Sequence, residues 1–217
     1  SYTYDQRYAA DLTGRMDASS QFGKNNRYAP FWSGGVRWNA DKEEFIKKWH
    51  LFDELVFRAT YGVTGEQGFD AFQALQMYTY RNTMRIYQSS DVVGTVLYGM
   101  GNPDLKWQTT DSYNFGIDFN MFNRIVSGRL EAYYKYTKNT VLDYSLPPSM
   151  GFSTIKDNLG NVTNTGYEFT VRIMPYNNVR EQLNFSIVAN GSHNENKIKK
   201  ISNALRARNQ EQLKEDP

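Results

Sequence analysis

From residue 102 to residue 146, apolar and polar positions alternate more strictly than anywhere else in the chain. Tyr113, Phe115, Ile117, Phe119 and Met121 recur at every second position. After Phe122, Asn123, Arg124 and Ile125 the alternation resumes as Val126, Gly128, Leu130, Ala132, Tyr134 and Tyr136. Side chains two apart in an extended strand share a face, so the pattern predicts a long antiparallel hairpin with a tight turn. Its other face reads Ser112, Asn114, Gly116, Asp118 and Asn120, then Ser127, Arg129, Glu131, Tyr133 and Lys135. A hairpin with one apolar face covers a soluble core or faces lipid, and its length bears on the choice. Sandwich strands run about 5 to 6 residues, whereas a tilted membrane strand needs about 9 to 11, which is the length seen here.

The same period marks further strands. Tyr8, Ala10, Leu12, Gly14, Met16 and Ala18 alternate with Asp11, Thr13, Arg15 and Asp17, and the chain begins as if already inside a strand. Ser19 to Pro30 is a loop, followed by Trp32, Gly34, Val36 and Trp38. Ala40 to Glu54 breaks the period, and Phe45, Ile46 and Trp49 among Lys42, Glu43, Lys47 and Lys48 predict a short amphipathic helical turn. Leu55, Phe57, Ala59, Tyr61 and Val63 form the third strand, with Gly62 and Gly65 at its fraying end. Glu66 to Gly101 reads as a long, irregular aromatic connection, and Thr137 to Asn164 as a second one with a stiff apex at Pro147-Pro148. Tyr167 to Ile173 and Leu183 to Ala189 complete seven strands, joined by a turn at Pro175 to Glu181. Long and short connections alternate, as in an up-and-down barrel.

Charge distribution sharpens the picture. The apolar phase of these strands carries no Asp, Glu, Lys or Arg, while the other phase carries Asp11, Arg15, Asp17, Arg37, Arg58, Asp118, Arg129, Glu131, Lys135, Glu168 and Arg172. A lipid face excludes charge, as a sandwich core would too, and the polar side suits a wet lumen. The 217 residues include 16 Tyr and 13 Phe, a composition suited to an interfacial girdle but shared by glycan-binding surfaces and ordinary β-cores. Mean hydropathy is −0.68 and no long apolar run occurs, so the sequence contains no membrane helix. A net charge of +2 gives no argument for a nucleic-acid partner. The absence of cysteine removes disulfides, thiolate metal sites and cysteine nucleophiles.

With these strands placed, several ordered blocks resemble a known family. Asn102-Pro103-Asp104-Leu105-Lys106-Trp107, Asn114-Phe115-Gly116-Ile117-Asp118-Phe119 and Tyr133-Tyr134-Lys135-Tyr136-Thr137-Lys138 look like the C-terminal barrel portion of SusC/RagA-type TonB-dependent outer-membrane transporters of Bacteroidetes. The likeness extends to residues 15–23, 58–65, 146–152 and 158–168. It implies an all-β fold: part of a large antiparallel up-and-down transmembrane β-barrel, 22-stranded in the family, with residues 1–217 a fragment of about seven strands. It further implies uptake of oligosaccharides or peptides across the outer membrane, with a SusD-like surface lipoprotein, TonB and outer-membrane lipid as partners. The plug, the TonB box and the first and last strands lie outside this segment, and the polar run from Gln210 to Pro217 reads as a cut. The alternative is a soluble secreted β-sandwich that binds glycans, its apolar face buried between two sheets.

Candidate chemistry is sparse, and neither an enzyme nor a cofactor is expected. His50 and His193 are too few for a triad or a multi-histidine zinc site and read as strand-end or loop residues. Glu43-Glu44 reads as a solvated turn. Asp118, Glu131 and Glu168 are carboxylates of a polar wall, a weak signal for acid-base chemistry. Gly62, Gly65, Gly68, Gly99 and Gly101 lack the lysine ending of a phosphate loop. Asp157 to Asn161 reads as a turn rather than a calcium loop. Phe72, Tyr78, Tyr80, Tyr87, Tyr98 and Phe152 are loop aromatics able to stack on sugars or pack against a lid, and an interfacial girdle or simple loop packing explains them equally well. Lys197 to Leu205 has a short helical period and reads as a solvated helix. No substrate-binding residue is assigned.

Overall fold

A computed structural model describes residues 1–22, 26–68, 74–82, 93–178 and 183–201. Its strands are β1 (Tyr2–Tyr4), β2 (Tyr8–Ala18), β3 (Tyr28–Asn39), β4 (Phe52–Glu66), β5 (Met77–Asn82), β6 (Val93–Gly99), β7 (Gln108–Met121), β8 (Val126–Ser145), β9 (Thr154–Asn178) and β10 (Leu183–Ile201). Eight of them form one antiparallel sheet in the order β1-β2-β3-β4-β7-β8-β9-β10, and β5 and β6 form a separate two-stranded sheet among the described residues. Sequential neighbours pair throughout, apart from the step from β4 to β7 over the β5 and β6 hairpin.

The apolar phases fall on one face because the register aligns them. Tyr8 lies opposite Trp38, Trp38 opposite Phe57, Phe57 opposite Ile117, Ile117 opposite Leu130, and Leu130 opposite Phe169. That face is open: Leu12 is 75% exposed, and Met16, Val36, Phe115, Leu130, Phe169 and Ile187 are exposed with it. A sandwich requires a second sheet over this surface, and among the described residues none covers it, so the glycan-binding sandwich is not the fold.

The apolar face also drifts along the sheet. The cross-strand row that starts at Tyr8, where β2 begins, reaches β10 at Gly191, yet exposed apolar residues on β10 continue down to Leu183. A stagger of about eight residues is about 27 Å along the strand, against about 29 Å across six strand spacings, an inclination of roughly 40°. Strands in closed barrels tilt by about 35 to 45°. At that tilt the apolar face of β7, from Tyr113 to Met121, stands about 20 Å tall, close to the roughly 25 Å band of an outer-membrane barrel.

One end holds the tight turns at residues 5–7 between β1 and β2 and Phe122 to Ile125 between β7 and β8, together with the 12-residue connection 40–51 between β3 and β4. Phe122, Asn123 and Arg124 take φ of 55°, 55° and 63°, three successive left-handed residues that reverse the chain tightly. The predicted helical turn is present as a 3-10 turn, Ala40–Lys42, followed by α1 (Glu44–Lys47). The connections from β2 to β3, from β4 to β7 and from β8 to β9 emerge at the other end, and that from β4 to β7 is by far the longest.

Several sequence expectations are corrected. β4 does not fray at Gly62 but continues through Gly65 to Glu66. The Thr137 to Asn164 connection is mostly strand, because β8 runs on to Ser145 and β9 starts at Thr154; only residues 146–153 turn, around the 3-10 turn Pro148–Met150. Asp157 to Asn161 therefore lies in β9, not in a turn. Pro175 is also inside β9, next to a register shift opposite Phe185 and Ile187, a place where a missing N–H is tolerated. Lys197 to Ile201 belongs to β10 rather than a helix, and 202–205 lie outside the described residues. Backbone pairing with β9 overrides the weak helical period there. The 66–101 connection holds the β5 and β6 hairpin, and β1 adds an eighth strand to the seven expected in the main sheet.

Candidate functional site: the polar wall and the long-loop end

Adjacent registers build a charged cluster on the polar face. Arg58 on β4 lies opposite Gly116 on β7, which lies opposite Glu131 on β8, while Asp118 and Arg129 face each other two residues further on, on the same face. Gly116 leaves the space above it empty, and the Arg58 guanidinium fills that space; a Cβ at 116 would stand 3.0 Å from Nη2. From this seat Arg58 donates to Asp118 from Nε at 2.8 Å and from Nη2 at 3.3 Å, and from Nη2 to Glu131 at 3.0 Å. Arg129 donates to the same Asp118 at 2.7 Å. These groups are only partly buried, so each pair contributes about 0 to 1 kcal/mol, and the main result is fixed orientation. Arg37, Glu54 and Arg172 join the cluster around a hollow of about 690 Å³.

Towards the long loops the wall changes from ionic to amide and hydroxyl. Asn114 donates to Thr60 at 3.2 Å, and Asn164 donates to both Asn194 and Asn196 at 2.6 Å. Gly166 accommodates the Tyr133 ring, much as Gly116 accommodates Arg58. Of the three carboxylates singled out in the sequence, Asp118 and Glu131 are brought into one network. Glu168, directly opposite Glu131, has no ion pair among the described residues. No nucleophile and base converge here.

On the outer side of the same strands, Trp32, Tyr61, Tyr113 and Tyr134 form a continuous aromatic row, with ring centroids 5.1, 4.6 and 6.1 Å apart. Just beyond it towards the long loops, Asp111 accepts from Tyr61 Oη at 3.0 Å and pairs with Lys138 at 2.6 Å. Apolar surface thus ends in a tyrosine row followed at once by charge, which is the profile of a membrane-water boundary.

The segment from Asn102 to Trp107 straps the long-loop end together. Trp107 stacks on Phe22 at 4.4 Å, meets Phe31 edge-on at 5.7 Å, and donates its indole N–H to the Asn26 carbonyl at 2.8 Å. Leu105 is fully buried beside Ala74 and Val141. Asn102 donates to the Lys156 carbonyl at 3.0 Å, while Asn158 accepts from Lys106 N at 2.8 Å and donates to the carbonyls of Lys106 and Asn139. One short stretch therefore ties the β2 to β3 loop to the extended β8 and β9 pair.

Remaining candidates are placed as follows. Tyr78, Tyr80 and Tyr98 stand exposed on the β5 and β6 hairpin, Phe152 is half-buried, and Phe72 and Tyr87 lie outside the described residues. His50 follows the helical turn with φ of 48°, as a loop residue before β4; His193 instead sits inside β10 opposite Tyr167, because β10 extends past Ala189. Glu43 is not merely solvated: its Oε1 accepts from Tyr8 Oη at 2.6 Å and the Trp38 indole at 3.4 Å, and its Oε2 from Arg7 at 3.2 Å. The Tyr8 hydrogen bond, with help from Trp38 and Arg7, holds the Glu43 carboxyl below its ordinary pKa. Among the described residues no group of three or more His, Cys, Asp or Glu is arranged to hold a metal ion.

Comparison with known proteins accounts for this arrangement. Residues 1–209 match the family described as TonB dependent receptor-like, beta-barrel. The chain belongs to that family. TonB-dependent receptor P26 of Formosa agariphila is 33% identical over 198 residues, covering 91% of this chain and 20% of that protein. TonB-dependent receptor SusC of Bacteroides thetaiotaomicron is 29% identical over 204 residues, covering 93% and 20%. The structure of the RagAB peptide transporter superposes with a TM-score of 0.81 at 29% identity, covering 91% of this chain and 21% of that one. The chain spans about a fifth of the length of these relatives. Its sheet is therefore a sector of a TonB-dependent receptor barrel, as the SusC/RagA resemblance implied, and the family is one of receptors and transporters rather than enzymes. The short-turn end corresponds to the periplasmic side of such barrels and the long-loop end to the outside.

The sequence named the polar wall but missed its network, since the carboxylates and the arginines lie up to 73 positions apart. A usable signal existed, because charges of opposite sign sit on the same phase of three consecutive strands.

Proposed function

We propose that this chain forms about a third of an outer-membrane barrel that imports oligosaccharides or peptides by TonB-dependent transport. The observation that supports it best is the single inclined sheet, whose open apolar band faces lipid while its opposite face carries fixed charges and amides towards a wet lumen. Solute engages the loops and the amide-rich upper wall, then passes the paired charges lower down when the plug moves. The plug and the TonB-contacting segment belong to the rest of a longer polypeptide, and a SusD-like surface lipoprotein closes the mouth. The strapped long-loop end supports that role, since loops that receive a lid need a rigid base.

An immunoblot of fractionated native cells with antiserum to this segment tests the reading. The expected result is an outer-membrane band far above 25.2 kDa that shifts on boiling. A soluble band near 25.2 kDa, unaffected by boiling, overturns it.

A further inference from the structure

The connection between β3 and β4 does not hang into the periplasm. Ala40 and Ile46 are buried in one cluster with Leu55, and Trp38, Phe52, Phe57, Ile117 and Phe119 pack against that cluster. By register Trp38, Leu55, Phe57, Ile117 and Phe119 all belong to the apolar face. The turn has therefore folded back over the outside of the sheet. Glu43 holds it there through Tyr8, Arg7 and Trp38, and Asp41 accepts from Leu55 N at 3.4 Å.

The turn's exterior sets two large apolar side chains among the exposed Lys42, Glu44, Lys47, Lys48 and His50. Ile46 points inward, while Phe45 is 53% and Trp49 61% exposed on the outside. On β9 and β10 the lower edge of the apolar band is exposed directly, through Ile173, Phe185 and Ile187. On β4 and β7 the corresponding edge lies beneath the turn, so Phe45 and Trp49 replace the strand residues they cover and keep the band continuous. The covered rows, Ile117 and Phe119, lie about 5 to 10 Å above the lower end of β7 at the strand tilt given above, the depth to which an interfacial helix sinks its apolar side. Charged side chains flank the two aromatics. Lys47 pairs with Glu44 at 3.1 Å, and Lys48 has no ion pair among the described residues.

We infer that the turn from Ala40 to His50 is an interfacial anchor that inserts Phe45 and Trp49 into the periplasmic phospholipid leaflet, with Lys48 at the phosphate level. This rests on the outer-membrane barrel reading. Its role is to fix the depth of the β3 to β7 sector in the bilayer, as interfacial aromatic and basic residues do elsewhere.

The test uses the full-length transporter in phospholipid nanodiscs, with any cysteine outside this segment replaced. Spin labels are placed through Phe45→Cys and Trp49→Cys, with Leu12→Cys as the lipid-face reference and Asn123→Cys as the aqueous reference. The ratio of collisions with dissolved oxygen to collisions with a water-soluble nickel chelate is then measured. The expected ratio at 45 and 49 is severalfold above that at 123 and approaches that at 12. A water-like ratio at 45 and 49 with a lipid-like ratio at 12 overturns the anchor and leaves the barrel reading standing. A water-like ratio at 12 overturns the barrel reading itself. Inaccessibility of 45 and 49 to both reagents overturns the anchor in favour of a protein cover. Should the cysteine variants fail to assemble, quenching by brominated phospholipid is compared between the native protein and Trp49→Phe. A smaller quenched fraction in the variant supports insertion, and an equal fraction overturns it.

Discussion

On the β7 and β8 hairpin, one face carries Phe115, Ile117, Leu130 and Tyr134 and the other carries Asn114, Asp118, Arg129 and Glu131, in strict alternation along the same two strands. The outer set has almost no directional contacts apart from its aromatic row, and what it requires is the exclusion of charge. The inner set tolerates charge because each group finds a partner across the strands, at 2.7 to 3.3 Å around Asp118 and Arg58. One face obeys a rule about composition and the other a rule about register. A substitution that is harmless under one rule is severe under the other.

The largest effect follows from putting a charge on the wrong face. Leu130, 41% exposed and mid-way along the apolar part of β8, becomes the test position. Leu130→Arg is expected to cost about 2 to 4 kcal/mol and to abolish the heat-shifted barrel band, while Glu131→Ala, one residue away, keeps that band. Equal assembly of the two variants would break the distinction between the faces.

Next come the glycines. A Cβ at 166 meets the Tyr133 hydroxyl at 2.5 Å and the His193 carbonyl, whereas one at 14 meets nothing within 4 Å. Gly166→Ala is expected to destabilise by about 1 to 3 kcal/mol in urea unfolding, and Gly14→Ala to stay within about 0.5 kcal/mol of the native protein. The reverse order would mean that the inner wall is loosely packed.

Removing the centre of the ionic network is milder. Arg58→Ala is expected to cost about 1 kcal/mol at low salt, since the pairs are partly exposed. Raising the ionic strength should narrow that difference. Arg58→Lys restores only part of it, because an ammonium does not reproduce the fork that reaches Asp118 and Glu131 together. A full rescue by lysine would reduce the network to simple charge neutralisation.

The smallest effect belongs to the turn. The Glu43 carboxyl titrates below its unfolded range, so its stabilising contribution is fully present above the unfolded pKa and is lost as pH falls through the lowered folded pKa. Glu43→Gln is therefore expected to lower the melting temperature at neutral pH and to match the native protein in strong acid. A gap that persists unchanged at low pH would show that the carboxylate charge is not what binds Tyr8, Trp38 and Arg7.

Much of this was legible in the chain itself. Alternation located β2, β3, β4, β7 and β8, and the loss of alternation at Ala40 marked the helical turn. The upper reaches of β8 and β9 were hidden because the apolar residues between 137 and 164, such as Val141, Leu142, Ile155 and Leu159, do not recur at strict two-residue spacing, and Val141 is buried by Leu105 and Ala74 from distant segments. Lys197 to Ile201 misled for a related reason, since a few apolar residues among lysines fit a helix as readily as a strand. Asn102 to Trp107 was recognised as a family block, but nothing local told of its role as a strap, whose partners are Phe22, Asn26, Lys156 and Asn158.

By itself the sequence determined which stretches are strands and which of their faces is greasy, because period-two alternation is a local consequence of strand geometry. Tertiary structure decided the rest: that the apolar face stays open and inclined, that Gly116 makes room for Arg58, and that the β3 to β4 turn covers the outside rather than reaching into water. These depend on hydrogen-bond register between strands distant in the chain. Register places residues 58, 116 and 131 in one row only when the sheet exists.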